Sequence, residues 1–161
     1  MTTRYAVFES PIGDLMLIAE GQQLVEILFE SDAVEPEPDW REGGRLLTRV
    51  QRQLGAYFSG RRRTFELPLA PRGTPFQRKV WRQLERIPYG ATRSYAQLAK
   101  RLGKPTAFRA VGAANGQNPI PIVIPCHRVV GSDGTLTGFG GGLELKRFLL
   151  EHESGVPWAH A

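Results

Sequence analysis

The sequence has one cysteine, Cys126, and only three histidines, His127, His152 and His160, among its 161 residues. A lone cysteine cannot form an internal disulfide. One Cys with three His is also a poor donor set for a tetrahedral zinc site, so no disulfide framework, metal or cofactor is expected. Apolar runs are short and none approaches the ~20 residues of a membrane span, which predicts no membrane association. Met1-Thr2-Thr3-Arg4 leads directly into a strand-like pattern instead of the apolar stretch of a signal peptide. The expectation is a cytoplasmic protein. Basic residues are scarce in the first half: residues 1–70 carry eight Lys/Arg against eleven Asp/Glu, a net −3, whereas 71–161 carry thirteen against five, a net +8. A basic half joined to an acidic one is the electrostatic footprint of a protein that meets a polyanion on one side only, although a solvated basic face has the same composition.

With 41% hydrophobic residues the chain can bury a real core, as one full domain or two small ones. Tyr5–Glu9 and Leu15–Ala19 flank the turn Ser10-Pro11-Ile12-Gly13-Asp14, which predicts a hairpin, with a third strand over Leu24–Phe29. Residues 30–44 are acidic and rich in Pro and Gly and read as a loop. Leu46, Leu47, Val50, Leu54, Tyr57 and Phe58 recur at helical spacing, Gly60 ends the pattern, and Thr64–Leu69 reads as a last strand. After a linker over Pro68–Gly73, Thr74 and Pro75 open a helix that Pro88-Tyr89-Gly90 stops. Ser94-Tyr95-Ala96-Gln97 is a capping box for a helix through Leu102, and after Gly103-Lys104-Pro105 a short helix follows over Thr106–Asn115. Helix, Gly-containing turn and short helix predict a helix-turn-helix. The second of these helices is mostly small residues, which lets its backbone approach another surface closely.

Cys126 lies in Ile124-Pro125-Cys126-His127-Arg128-Val129, where an apolar approach stiffened by two prolines turns abruptly polar. A thiol is strongly nucleophilic only as a thiolate, and a nearby base or cation lowers its pKa; His127 and Arg128 are the candidates here. A buried cysteine serving as a small hydrophobe is the alternative. The placement at the edge of a core favours a reactive group.

Arg109-Ala-Val-Gly112, Asn118-Pro119, Pro125-Cys-His-Arg-Val129 and Gly140-Gly-Gly142 follow one another in order. Together they resemble the O6-alkylguanine-DNA alkyltransferases, DNA repair proteins also called methylated-DNA–protein-cysteine methyltransferases, and the resemblance spans the whole chain. It implies a small α/β N-terminal domain over 1–70, an antiparallel sheet plus helix of ribonuclease H-like type. A winged-helix-like α-helical domain carrying the helix-turn-helix would follow over 71–161. The implied substrate is double-stranded DNA containing O6-alkylguanine, bound by a monomer with cooperation along DNA left open. The lesion is out of reach inside a stacked duplex, so the nucleotide must be flipped out, here through helix-turn-helix binding in the minor groove. The resemblance further implies that Cys126 attacks the alkyl carbon, that His127 takes the thiol proton through a water, and that Glu153 holds the imidazole. Asn118 would brace the turn before the cysteine. Arg109 would fill the gap left by the flipped base, and Tyr95 would help rotate the nucleotide and polarise the purine. Ser132 and Lys104 would contact the DNA backbone, main-chain carbonyls near Cys126 and Val129 would read the guanine amino group, and a main-chain N–H at Gly140 would face O6. A thioether product is a poor leaving group, so each molecule acts once.

Three competing readings are an alkyl-lesion sensor, which would lack the acceptor cysteine, a transcription regulator, which leaves the Cys–His box unexplained, and a thiol hydrolase, which needs an oxyanion hole. Thr137 is expected to narrow the pocket and favour methyl over benzyl adducts. The segment after Glu153 reads as a frayed tail in which Trp158 has no assigned role.

Overall fold

The computed structural model describes residues 1–158. It divides into two compact units, Met1–Arg72 and Gly73 to the C-terminal end. In the first, β1 (Thr3–Ser10), β2 (Gly13–Glu20) and β3 (Gln23–Leu28) form an antiparallel meander. Ser10 makes the first turn: its hydroxyl donates to the Gly13 carbonyl (2.6 Å) and accepts from the Ile12 amide (3.1 Å), while Gly13 takes φ 103°. β2 is buried from Leu15 to Ala19, the continuous apolar run of a strand covered on both faces. Met16, Ile18 and Val25 form a cluster with Tyr5, Leu28, Trp40 and Ala70 on one face. Leu15 and Leu17 point the other way, to the face that α1 (Arg45–Phe58) covers with Leu47, Val50, Leu54 and Tyr57. Each of these four is at most 1% exposed, so truncating one, as in Leu54→Ala, costs about 2–5 kcal/mol.

Two expectations for this unit are corrected. The segment over 30–44 contains β4 (Arg41–Glu42), which pairs parallel with β1 at Arg4 and Tyr5, so the sheet is mixed, with order β3-β2-β1-β4. Residues 64–69 do not form a strand. They make one bridge, Leu69 to Leu24, with the Leu24 amide donating to the Pro68 carbonyl (2.9 Å). Pro68 has no amide to continue a ladder.

In the second unit α2 (Pro75–Leu84) starts on the predicted cap. Thr74 Oγ1 accepts from the Gln77 amide (3.1 Å), and Gln77 Oε1 accepts from the Thr74 amide (2.9 Å). α2 buries Val80, Trp81 and Leu84, and Trp81 Nε1 donates to the Ala114 carbonyl at 2.8 Å. That bond fixes α4 (Phe108–Gly116) against α2. A Cβ at Gly73 would stand 2.3 Å from the Trp81 ring, so only glycine fits before this helix. α3 (Tyr95–Arg101) begins on the Ser94/Gln97 capping box and, with α4, makes the helix-turn-helix. α4 begins at Phe108, later than expected, because residues 104–107 form a turn in which the Ala107 amide donates to the Lys104 carbonyl (2.9 Å).

The connection that positions the site was not anticipated. β5 (Arg93–Ser94) pairs parallel with β6 (Val129–Val130), Arg93 opposite Val129. This ladder ties the residue that caps α3 to the end of the cysteine box. The last helix, α5 (Leu143–Ser154), closes the unit, and Gly155 ends it at φ 76°. The tail beyond is held as far as Trp158, whose amide donates to Glu151 (2.6 Å) and whose indole N–H donates to the Gly134 carbonyl (3.2 Å). The expected fraying therefore does not begin at Glu153, and residues 159–161 lie outside the described residues. No helix among the described residues is long and apolar enough to cross a membrane.

Candidate active site

The cysteine box is a short 3-10 turn, Cys126–Arg128, reached through Ile120–Pro125. Ile122 in this approach takes φ 74°, a left-handed conformation that a β-branched residue adopts only under strain, at a cost of about 1–3 kcal/mol. Its complete burial holds it there. The Asn118 side chain spans the turn before the cysteine: its Nδ2 donates to the Ile124 carbonyl (2.7 Å) and its Oδ1 accepts from the Ile120 amide (3.0 Å). Asn115, buried on α4, donates to the Cys126 carbonyl at 3.3 Å. Cys126 itself is 5% exposed.

Behind the thiol lies a buried ionic cluster. His127 Nε2 is 2.7 Å from Glu153 Oε2. Arg128 grips the same carboxylate in a fork, Nε to Oε1 at 2.7 Å and one terminal nitrogen to Oε2 at 2.9 Å. Its other terminal nitrogen donates to the Ile87 carbonyl (2.7 Å), and its guanidinium lies 5.8 Å from the Tyr89 ring centre. The turn after α2 thus supplies three partners of this cluster, since the Gly90 amide also donates to Glu153 Oε1 (3.4 Å). A carboxylate only accepts, so Nε2 carries the hydrogen toward Glu153, and in the neutral ring Nδ1 is the basic atom. Nδ1 is buried and makes no hydrogen bond among the described residues. Burial pushes the His127 imidazole below its ordinary value against the pull of Glu153. Burial pushes the Glu153 carboxyl up, but hydrogen bonds and charge from His127 and Arg128 outweigh it and hold the group well below the usual carboxylate range. The resting state is a neutral His127 oriented by an ionised Glu153.

The expected depression of the Cys126 pKa by His127 and Arg128 is not found. Arg128 spends its charge on Glu153. Burial pushes the thiol up to about 11, opposed without reversal by the Asn118 side chain, the charge of Lys146 and the Cys126 and His127 amides. The cation that acts on the thiol is Lys146, which the sequence reading missed. It is completely buried on α5, donates to the Thr137 carbonyl (2.7 Å), and burial lowers its own pKa to about 8. A signal was present: the buried stripe of α5 is Lys146, Leu149, Leu150 and Glu153, so two charged residues occupy core positions of a helical period.

Tyr95 stands at the start of α3 with its hydroxyl donating to the Thr137 carbonyl (3.2 Å) and accepting from the Thr137 hydroxyl (3.3 Å). Lys146 and Tyr95 therefore hold the same carbonyl. Gly140 lies farther along this segment, exposed, with open space where a side chain would be. Val129 is fully buried and belongs to β6. Arg109, Lys104 and Ser132 are exposed: Arg109 on α4, Ser132 in the turn after β6, and Lys104 between α3 and α4 with its ammonium 5.4 Å from the Phe76 ring centre. Cys126, His127, Glu153 and Asn118 are thus brought together, and Tyr95 lies beside them. The three exposed residues are not part of that cluster.

Comparison with known proteins agrees with this architecture. Residues 75–155 match the family described as 6-O-methylguanine DNA methyltransferase, DNA binding domain, and residues 3–71 match its ribonuclease-like domain. A methylated-DNA–protein-cysteine methyltransferase of Methanosarcina barkeri is 50% identical over 151 residues, covering 92% of this chain and 96% of that protein. The crystal structure of the Mycobacterium tuberculosis O6-methylguanine methyltransferase superposes with a TM-score of 0.87 at 45% identity, covering 96% of this chain and 94% of that one. A crystal structure of the Mycobacterium tuberculosis OGT in complex with DNA superposes equally well, TM-score 0.87 at 44% identity, over 98% and 96% of the two chains. With both halves matched by their own profiles and relatives this similar over nearly their full length, the chain belongs to the 6-O-methylguanine DNA methyltransferase family.

Proposed function

We propose that this protein repairs DNA by moving the alkyl group of O6-alkylguanine onto Cys126, once per molecule. The observation that carries the reading is the buried Cys126–His127–Glu153 arrangement, in which Glu153 fixes Nε2 and leaves Nδ1 as the base. The thiol proton passes through a bridging water to Nδ1. The sulfur forms a bond to the alkyl carbon, the O6–carbon bond breaks, and its electron pair stays on the guanine. Tyr95 polarises the purine as that charge develops, Gly140 faces O6 through its amide, and main-chain carbonyls near Cys126 and Val129 read the guanine amino group. A thiol with a pKa of about 11 is protonated at rest, which protects it from oxidation until a substrate is seated. α4 enters the minor groove, Arg109 fills the gap left by the flipped nucleotide, and Lys104 and Ser132 touch the backbone. The unit over 71–161 carries the chemistry, and the protein acts as a monomer in the cytoplasm, where the chromosome is accessible.

Excess duplex carrying O6-methylguanine tests this directly. Lesion loss should burst to one equivalent of protein and stop. Tight binding without loss would indicate a sensor, and loss continuing past one equivalent would indicate a hydrolase.

A further inference from the structure

Phe108 opens α4 with 47% of its surface exposed. The rest of the helix is Arg109-Ala-Val-Gly-Ala-Ala-Asn-Gly116, with Val111, Ala114 and Asn115 buried, so one large aromatic ring stands beside Arg109 at the head of a surface otherwise built from Ala and Gly. Its neighbours in the helix-turn-helix give it a direction. Gly112 follows one turn later on the same face, and a Cβ there would lie 3.7 Å from the Tyr95 ring, so Phe108 sits one turn beyond the contact between α4 and Tyr95. Arg109 is adjacent and exposed. The surroundings are uniformly basic: Lys100, Arg101, Lys104 and Arg109 are exposed, and no acidic residue occurs from Arg86 to Ser132.

An exposed aromatic ring in an acid-free, basic surface suits a nucleic acid, which offers a π-face at every base within a charged backbone. Proteins that work in the minor groove insert apolar side chains between base steps and unstack them. We propose that Phe108 is a wedge that enters the base stack beside the target nucleotide, stacking on the neighbouring base while Arg109 occupies the gap. This inference rests on the reading of α4 as the helix that enters the minor groove. The ring converts part of the unstacking cost into a stacking contact, so its value is confined to paired DNA.

The test compares single-turnover transfer from one oligonucleotide carrying O6-methylguanine, as a duplex and as a single strand, for the unaltered protein and for Phe108→Ala, Phe108→Trp and Arg109→Ala. Phe108→Ala should lower the ratio of duplex to single-strand rates about ten-fold, the size of one lost base–aromatic stack, and Phe108→Trp should hold it. A ratio unchanged in Phe108→Ala while Arg109→Ala lowers it overturns the wedge alone. An equal loss on both substrates, or a Phe108→Trp ratio as low as that of alanine, also overturns it, because either shows packing and not stacking. If neither Phe108→Ala nor Arg109→Ala moves the ratio, the minor-groove reading is wrong and the wedge falls with it.

Discussion

His127 and Glu153 stand 26 positions apart in sequence and 2.7 Å apart in space, joined at Nε2 and Oε2 in a buried contact. The contact does two things at once. It fixes which ring nitrogen is left basic, and it seats a carboxylate that also receives the Arg128 fork.

Removing the carboxylate leaves His127 Nε2 and two nitrogens of the Arg128 guanidinium, all buried, without their acceptor. Glu153→Ala should therefore destabilise the protein by about 3–5 kcal/mol, the usual consequence of breaking a buried pair on one side. Glu153→Gln keeps the shape and a carbonyl oxygen for one donor. It should unfold less readily than Glu153→Ala in urea yet still transfer slowly, because its amide no longer forces the tautomer with a basic Nδ1. A Glu153→Gln variant as fast as the unaltered protein would remove Glu153 from the reaction.

The same groups set the response to acid. Burial holds His127 below its ordinary 6.5, so between that value and the folded one the unfolded chain binds the extra proton, and stability falls as pH drops below about 6.5. Glu153 is held below its ordinary 4.5, so its stabilisation is present above that pH and lost as pH falls toward its folded value. Urea midpoints should decline as pH falls below 6.5 and steepen below 4.5. His127→Gln should remove the first decline, and a midpoint that rises on acidification would contradict the assignment of a neutral, buried imidazole.

Lys146 supplies charge to the thiol. Lys146→Met should raise the Cys126 pKa beyond about 11 and slow its alkylation by iodoacetamide about ten-fold at pH 7, one unit of thiolate fraction. The gap should close as pH rises through about 8, where the lysine itself loses its proton. A gap equally wide at pH 9.5 would mean that the variant disturbed packing and not charge.

Thr137 is tied to Tyr95 through both its hydroxyl and its carbonyl, which stiffens the wall where an alkyl group would lie. The expected result is slower transfer from O6-benzylguanine than from O6-methylguanine in the same duplex, with Thr137→Gly narrowing the difference. Equal rates on the two substrates would show that this wall does not select.

Features written in local chemistry were legible in the sequence. Thr74 with Gln77 and Ser94 with Gln97 cap their helices through residues three apart, and both boxes form. β4, β5 and β6 were not legible, because strands of two residues have no period to detect. Their pairing depends on partners far along the chain. Glu153 was reached only through the family resemblance, although it shares with Lys146 the buried stripe of α5, where two charges at core spacing are a readable anomaly. The expected thiol activation failed for a related reason. Adjacency to His127 and Arg128 in sequence says nothing about where their charges point, and in the fold both turn to Glu153 while the thiol is buried.

The central claim is that Cys126 accepts the alkyl group, and intact mass measurement after incubation with an O6-methylguanine duplex tests it most directly. The account predicts a gain of one methyl per chain, mapped by peptide fragmentation to Cys126 and abolished by Cys126→Ser. An unchanged mass on protein that has bound the duplex, or a methyl on any other residue, would contradict it.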